Sequence, residues 1–488
     1  MVYSYYLEDD PCYNKKVVHW TDTVFEKEES HFMKMKLAEI AKAISVENDI
    51  SRWQDVEVSS VAFDSRQIAN GALFVPLTGQ QDGHKFVQNA FEHGASATLW
   101  ASDHPIEKSN QPILVVKDPL KALQELSKYY LSKINPFVVA VTGSNGKTTT
   151  KDMIASILST QMNVTKTYEN FNNQIGVPVT LLNMESNTEA VVVEMGMDHF
   201  GELDFLTKMV NPDIAVITMI GEAHIEFFGT RDKIADAKME ITHGLKEDGT
   251  FVFNGDEPLL TQRAKQVDQE QRTFGRQLEN NLYATSVNLT SHEIKFTTNM
   301  WPDTEFTVPM MGEYNINNAL AALSVADLMR ISSANMQTGL AHVELTQNRA
   351  QWIAGKNGEQ ILSDVYNSNP TAAKQVLHAF ALTQTEGQRV AVLGDMLELG
   401  DAAANLHASL AQELDPAKIQ SVFLIGPHMK ALRDELQNKY SADALHYFDI
   451  EQKEQMTAQL QDSLTNDDIV LLKASHGIHL ETVLESLK

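Results

Sequence analysis

The chain has 488 residues, and at roughly one domain per 150 residues that length suggests about three domains. Hydrophobic residues make up 43% and charged residues 21%, which is globular rather than disordered composition. Lys and Arg number 39 against 65 Asp and Glu, a net charge of −26 that argues against nucleic acid or an anionic membrane as partner. Any phosphate it binds must therefore be held by a few local cations, backbone N–H groups and metal ions. Cys12 is the single cysteine and cannot form an internal disulfide, so a reducing, cytoplasmic setting is expected. No run approaches ~18 apolar residues, so no membrane span is expected, and the N-terminus lacks the apolar core of a signal peptide.

Residues 1–32 carry charged runs such as Glu26-Lys27-Glu28-Glu29 without an amphipathic period, and read as an extension to a domain that starts near Met33. A helix is expected from Leu37 to Ile44, whose apolar positions recur at helical spacing. Gly71–Leu77 reads as a buried strand, Phe86–His93 as a helix, and Ile113–Val116 as another strand. Asn135-Pro136 is an expected hinge, because proline drives the residue before it out of the helical region. A second α/β block then has strands at Phe137–Val141, Ala190–Val193, Ile214–Met219 and Phe251–Phe253. These are the short continuous apolar runs of buried parallel strands. After a helix at Ile316–Met329, the polar stretch Ser332–Asn335 leads into a third block near Thr346. Its strands are expected at Ile361–Val365, Val390–Leu393, Val422–Ile425 and Ile469–Leu472. The expected fold is α/β in three domains, with boundaries at 33–135, 136–345 and 346–488.

The strongest local pattern is Val138-Val139-Ala140-Val141-Thr142-Gly143-Ser144-Asn145-Gly146-Lys147-Thr148-Thr149-Thr150. An apolar strand enters a glycine loop, and Lys-Thr opens a helix. Glycines let backbone N–H groups approach phosphate oxygens at the positive end of that helix. Lys147 can reach the outer phosphates, and the Thr148 hydroxyl suits a magnesium ion. The loop is shorter than G-x-x-x-x-G-K-[ST], since position 141 is Val. Glu194 closes the strand Ala190–Val193, a position from which a carboxylate can reach a metal at a sheet's C-terminal edge. His224 follows another strand and reads equally as structural or as a ligand. Lys238, in Asp236-Ala237-Lys238-Met239-Glu240, reads on its own as a solvated helix lysine.

In order along the chain stand Asp64-Ser65-Arg66, Gly79, Asp82-Gly83-His84, the glycine loop, Asn170-Phe171-Asn172-Asn173-Gln174-Ile175-Gly176, Glu194-Met195-Gly196 and Ala223-His224-Ile225-Glu226-Phe227-Phe228-Gly229. Ala237-Lys238-Met239-Glu240, Asn315-Ile316-Asn317-Asn318 and Asp364-Val365-Tyr366-Asn367-Ser368-Asn369-Pro370 complete the series. Taken together, from Met33 to Lys488, they resemble the Mur ligases, ATP-dependent amide-forming enzymes of peptidoglycan precursor synthesis.

That resemblance implies an N-terminal domain for a UDP-sugar, a central P-loop-type parallel-sheet domain for ATP and a Rossmann-like C-terminal ligase domain. It implies ATP with two magnesium ions, carbamoylated Lys238, and UDP-N-acetylmuramoyl-tripeptide and D-alanyl-D-alanine as substrates of a monomer. Gly143, Ser144, Asn145, Gly146, Lys147, Thr148, Thr149, Asn318, Arg349 and Asp364 are the implied ATP contacts. Ser65, Arg66, Asn172, Asn173, Tyr366, Asn367 and Asn369 are the implied substrate contacts, and Thr148, Glu194, His224 and Lys238 the metal site. Lys147, Lys238 and His224 are the implied catalytic residues. For Asp364 and Asn369, turn and cap chemistry is the plain alternative.

Two positions depart from the family pattern. Tyr314 stands where many members have His, and the Lys-Gly-Ser-Arg-type motif is Lys473-Ala474-Ser475-His476. A sister ligase that adds the third amino acid and folylpolyglutamate synthase are the neighbouring readings. A nucleotide-gated binding module without ligation is the reading from another class. Deleting residues 1–32 is expected to leave activity and thermal stability nearly unchanged. An insoluble or inactive chain starting at Met33 would contradict this.

Overall fold

The computed structural model describes residues 33–79, 81–105 and 110–488, so the extension 1–32 and Cys12 lie outside the described residues. Two compact units emerge. The first takes residues up to Ala140 with Met162–Met195 and Phe205–Asp213. The second takes Val141–Gln161, Gly196–Asp204 and Ile214–Lys488.

In the first unit, Ser60–Ala62, Ala72–Phe74, Ala97–Ala101 and Ile113–Val116 form a parallel four-stranded sheet in chain order. The strand expected over Gly71–Leu77 is confined to Ala72–Phe74; Pro76, just beyond it, has no N–H to offer a ladder. The helix expected from Phe86 starts earlier, as a 3₁₀ turn Gly83–Phe86 capped by the Asp82 carboxylate, and continues as Val87–Glu92. The helix Pro119–Ile134 is capped by Asp118, which accepts from the amides of Leu120 and Lys121, with proline at its first position. Asn135 ends it in the left-handed region at φ 54°, where a following proline requires the helix to stop. The strands Val164–Lys166 and Ala190–Glu194 pair in parallel. Val191, Val192 and Val193 are completely buried, each contributing roughly 1.5–3 kcal/mol.

In the second unit, Ile214–Ile217, Thr250–Asn254 and Glu270–Gly275 run parallel. Beyond them lies a segment that the sequence pattern leaves unassigned. Leu282–Leu289, Ile294–Thr298 and Phe306–Val308 form an antiparallel ribbon. Its strands alternate buried Ile294, Phe296 and Thr298 with half-exposed neighbours, and so lack the continuous apolar run of the others.

The helices Tyr314–Leu328 and Ser333–Ala341 pack on Lys147–Leu158. The polar stretch expected as a connection is the start of that second helix, with Ser332 as its N-cap accepting from the Asn335 amide. Gly339 lets the two helices meet, since a Cβ there would lie 2.5 Å from Ile157 Cα. Thr346 then ties the chain down, its amide and hydroxyl both donating to Asp152 Oδ2 at 2.9 Å.

The C-terminal sheet has six strands in the order Gln351–Ala354, Gln360–Asp364, Ile469–Lys473, Arg389–Gly394, Ser421–Ile425 and Leu445–Phe448. All pairs are parallel except the first. Apolar clusters cover both its faces: Leu377 and Phe380 belong to one, Leu460 and Leu484 to the other. That is the doubly covered arrangement parallel sheets need.

Candidate active site

The glycine loop joins the strand Phe137–Thr142 to the helix Lys147–Leu158. Gly143 at φ 153° and Gly146 at φ 81° make the turn. Neither tolerates a side chain: a Cβ at Gly143 would lie 1.8 Å from Thr218 Oγ1, and one at Gly146 2.3 Å from Asn318 Oδ1. Thr218 donates its hydroxyl to the Asn145 carbonyl at 2.5 Å, and the Ser144 amide donates to Met219 O at 2.9 Å. The loop is thus held open from outside. Lys147 is half-buried and donates Nζ to Gly143 O at 2.8 Å. The hydroxyl of buried Thr148 makes no hydrogen bond among the described residues.

A cavity of about 240 Å³ adjoins this loop, lined by Asn145, Gly146, Thr218, Asp256, Tyr314 and Asn318 among others. Asn318 is not a solvated helix-face residue. It is buried, accepts from the Thr150 hydroxyl at 3.3 Å and donates to Asn315 Oδ1 at 2.9 Å. Tyr314 borders the same cavity; burial, with the charge of Asp364, pushes its phenol well above the usual range.

Lys238 departs most from its local sequence reading. Instead of being solvated, it is 1% exposed on the inner face of the helix Arg231–Met239, beside buried Ile234, Ala235 and Ala237. Burial, reinforced by the charge of Lys147, drives its ammonium well below the usual range. That direction favours the neutral form of the amine, the form that can react with carbon dioxide. His224, at φ 63°, has its Nδ1 2.5 Å from Glu398 Oε2. Its Nε2 makes no hydrogen bond among the described residues, the arrangement of a histidine oriented by a carboxylate to offer its other nitrogen. Glu398 escaped the sequence reading, because nothing in spacing links residues 174 positions apart.

Residues of the C-terminal sheet meet the loop directly. Asn369 and Asn145 exchange amide hydrogen bonds of 2.5 and 3.2 Å, and Asn369 also caps the helix Pro370–Ala381. Thr371 donates to Glu222 at 2.5 Å. Asp364 is bonded to fully buried Lys473 at 2.6 Å and accepts from the Ala350 amide at 3.3 Å. The Arg349 guanidinium lies 4.1 Å above the Tyr366 ring, and its buried Nε has no partner among the described residues. Tyr366 stacks on His476, and Asn367 gives its carbonyl to Lys473.

In the first unit, Glu194 is 1% exposed. Its Oε1 accepts from Asn172 Nδ2 at 2.9 Å, while its buried Oε2 has no partner among the described residues. An orphaned buried carboxylate oxygen is costly unless a cation or proton meets it. Asn173 caps the helix Gly176–Leu182, accepting from the amides of Ile175 and Gly176. Ser65 is buried, and the exposed Arg66 is paired with Asp64 at 2.7 Å.

A strand–glycine loop–helix with an adjoining cavity, a fully buried lysine and a carboxylate-held histidine mark a nucleotide-dependent α/β enzyme. Three family models match along the chain: the Mur ligase family catalytic domain over residues 57–131, the Mur ligase middle domain over 141–326, and the Mur ligase glutamate ligase domain over 348–476. A UDP-N-acetylmuramoyl-tripeptide–D-alanyl-D-alanine ligase of Bacillus subtilis is 38% identical, over 89% of this chain and 94% of the relative. A crystal structure of MurF from Acinetobacter baumannii superposes with a TM-score of 0.81 at 29% identity, over 93% of this chain and 99% of that one. MurF from Thermotoga maritima in complex with ADP gives 0.74 at 28% identity, over 88% and 96%. The chain belongs to the Mur ligase family.

Proposed function

We propose that this chain joins D-alanyl-D-alanine to UDP-N-acetylmuramoyl-tripeptide at the expense of ATP, in cytoplasmic peptidoglycan precursor synthesis. The observation that carries the reading is the 38% identity to a ligase with these substrates in its name, over 94% of that relative's length. Residues 33–135 hold the UDP-sugar through Ser65 and Arg66, residues 136–345 hold ATP, and residues 346–488 form the ligase domain of a chain that acts as a monomer.

The loop amides from Gly143 to Thr149 and the Lys147 ammonium receive the phosphates. Asn318 receives the adenine, Asp364 the ribose and Arg349 a phosphate. Asn172, Asn173, Tyr366, Asn367 and Asn369 position the muramoyl-peptide. Its terminal carboxylate attacks the γ-phosphorus, giving an acyl phosphate and ADP. The amine of D-alanyl-D-alanine then attacks the acyl carbon, and phosphate leaves. In such a reaction the protein supplies positioning and charge neutralisation.

Magnesium, where bound, neutralises charge on the phosphate oxygens. In the second unit Thr148, whose hydroxyl makes no hydrogen bond among the described residues, and His224, with its open Nε2, would hold such ions; Glu194 of the first unit offers its orphaned oxygen as a further ligand. Lys238 would supply a further ligand as a carbamate, its amine nitrogen bonding the carbon of carbon dioxide and releasing one proton to water. Glu398→Ala would remove the group that orients His224 and is expected to weaken manganese binding, read by electron paramagnetic resonance, by ~10–100-fold.

The functional reading is tested by ADP release against a panel of UDP-muramoyl peptides, with single amino acids or D-alanyl-D-alanine as acceptor. ADP should appear steadily only with the tripeptide and D-alanyl-D-alanine together. ADP released with no acceptor would favour a nucleotide-gated module, and turnover with a dipeptide donor and a free amino acid would favour the sister ligase.

A further inference from the structure

The ligation needs one step that none of the residues above performs. The acceptor is an ammonium at neutral pH, and it must lose a proton before its nitrogen can attack. The loop that follows the strand Ala190–Glu194 carries a histidine–carboxylate pair suited to that step. Asp198 Oδ1 lies 2.5 Å from His199 Nδ1. The pairing fixes the tautomer and leaves Nε2, which makes no hydrogen bond among the described residues, as the accepting nitrogen.

The loop is not free to wander. Glu202 Oε2 accepts from the amides of Asp198 and His199 at 2.8 and 3.0 Å. Glu240 binds the Gly201 amide through both oxygens and the Asp204 amide through one. The His199 ring rests 5.2 Å from that of Phe227, on the short helix that begins directly after His224. Its side chain is still 49% accessible. The position is thus a loop at the C-terminal end of a strand, where ligands bind in open α/β sheets, beside the segment that presents His224.

We propose that His199, oriented by Asp198, is the base that takes the proton from the incoming ammonium of D-alanyl-D-alanine. The inference rests on the ligase reading above. Neutral Nε2 accepts one proton, leaving an imidazolium and a free amine. The amine lone pair forms the C–N bond while the carbonyl π pair moves to oxygen. Collapse re-forms the carbonyl and breaks the C–O bond to phosphate, and the second nitrogen proton leaves with phosphate. The products are the amide, hydrogen phosphate and the proton on His199, which passes to water.

The charged groups facing the ring are Asp198 and Glu202 of its own loop; Phe227, from the neighbouring helix, is uncharged, and Glu240 is occupied by backbone amides. The hydrogen bond to Asp198, with the charges of Asp198 and Glu202, holds the imidazole above its usual pKa against the opposing effect of burial. The neutral base is therefore present only above that raised value, and amide formation should climb as pH rises through it. Asp198→Asn should move this limb to lower pH.

The decisive assay compares two acceptors at saturating ATP and UDP-muramoyl-tripeptide, across pH 6 to 9. Hydroxylamine is already a neutral nucleophile and traps the acyl phosphate as a hydroxamate without a base. His199→Asn should form hydroxamate within about 3-fold of the parent yet lose amide formation by ~10²–10⁴-fold at neutral pH. Its residual amide rate should follow the free-amine fraction upward. An unchanged amide rate and pH limb in His199→Asn would overturn the proposal. So would parallel loss of hydroxamate, which would mark a structural role or one in the first step. A parent enzyme that forms neither ADP nor hydroxamate from the tripeptide would instead overturn the ligase reading, and this inference with it.

Discussion

Lys147→Ala is expected to abolish turnover while leaving the fold intact. The residue sits at the first position of the loop helix, half-buried, and its Nζ is turned back onto the Gly143 carbonyl at 2.8 Å. That bond is a resting place that a phosphate oxygen can outcompete, because a charged acceptor is the stronger partner for an ammonium. The loop is also held by Thr218, Met219 and Asn369, so its geometry should survive the loss. Removing one preorganised electrostatic donor costs ~10²–10³-fold in rate, and a donor that also positions the phosphates should cost at least that. The checks are initial rates of ADP release and a thermal melt. Near-parental ADP release by a well-folded variant would refute the phosphate-loop assignment.

The second large effect is expected at Lys238. With 1% of its surface exposed, an unmodified lysine here is disfavoured as an ammonium by burial and by the charge of Lys147, and so is poorly suited to hold a phosphate. As a carbamate it offers an oxygen anion, the ligand type hard cations take. Lys238→Ala should lose activity by about 100-fold or more, exceeding the ~10–100-fold typical of a lost outer-shell group. A short carboxylate such as acetate should restore part of it by occupying the vacated space. Lys238→Arg cannot form a carbamate and forces a permanent charge into a buried site. It should stay inactive under all conditions and lose stability, by roughly 3–5 kcal/mol if the charge finds no partner. Both variants are to be assayed with and without added carboxylate at fixed ionic strength, with a melt on each. Parental activity in Lys238→Arg would exclude the carbamate.

The parts of this molecule legible in its sequence are those with one-dimensional signatures. Strands buried on both faces, such as Ala190–Glu194 and Ile469–Lys473, show as unbroken apolar runs, and the glycine loop shows as a change from such a run to Gly, Lys and Thr. What could not be read depends on partners remote in the chain. Lys238 lies among Asp236, Met239 and Glu240, and only the packing of its helix reveals that it shares a face with Ile234. The ribbon Leu282–Val308 is half-exposed and polar enough to pass for a loop. Ser332 looks like linker composition until its side chain is seen capping a helix. Glu398 becomes a functional candidate only through His224. Asp198 and His199 are adjacent in sequence, yet their meaning comes from Glu202, Glu240 and Phe227, which fix and flank the loop.

In the proposed ligation, ATP cleavage and amide formation share one acyl phosphate. Oxygen-18 placed in the terminal carboxylate of UDP-N-acetylmuramoyl-tripeptide tests it most directly. If that carboxylate attacks the γ-phosphorus, one labelled oxygen must leave with the phosphate released on ligation, and the new amide must keep the other. Mass spectrometry of the phosphate should therefore show a single oxygen-18 for each amide formed. Unlabelled phosphate, or label lost to water without amide, would rule out a shared acyl phosphate.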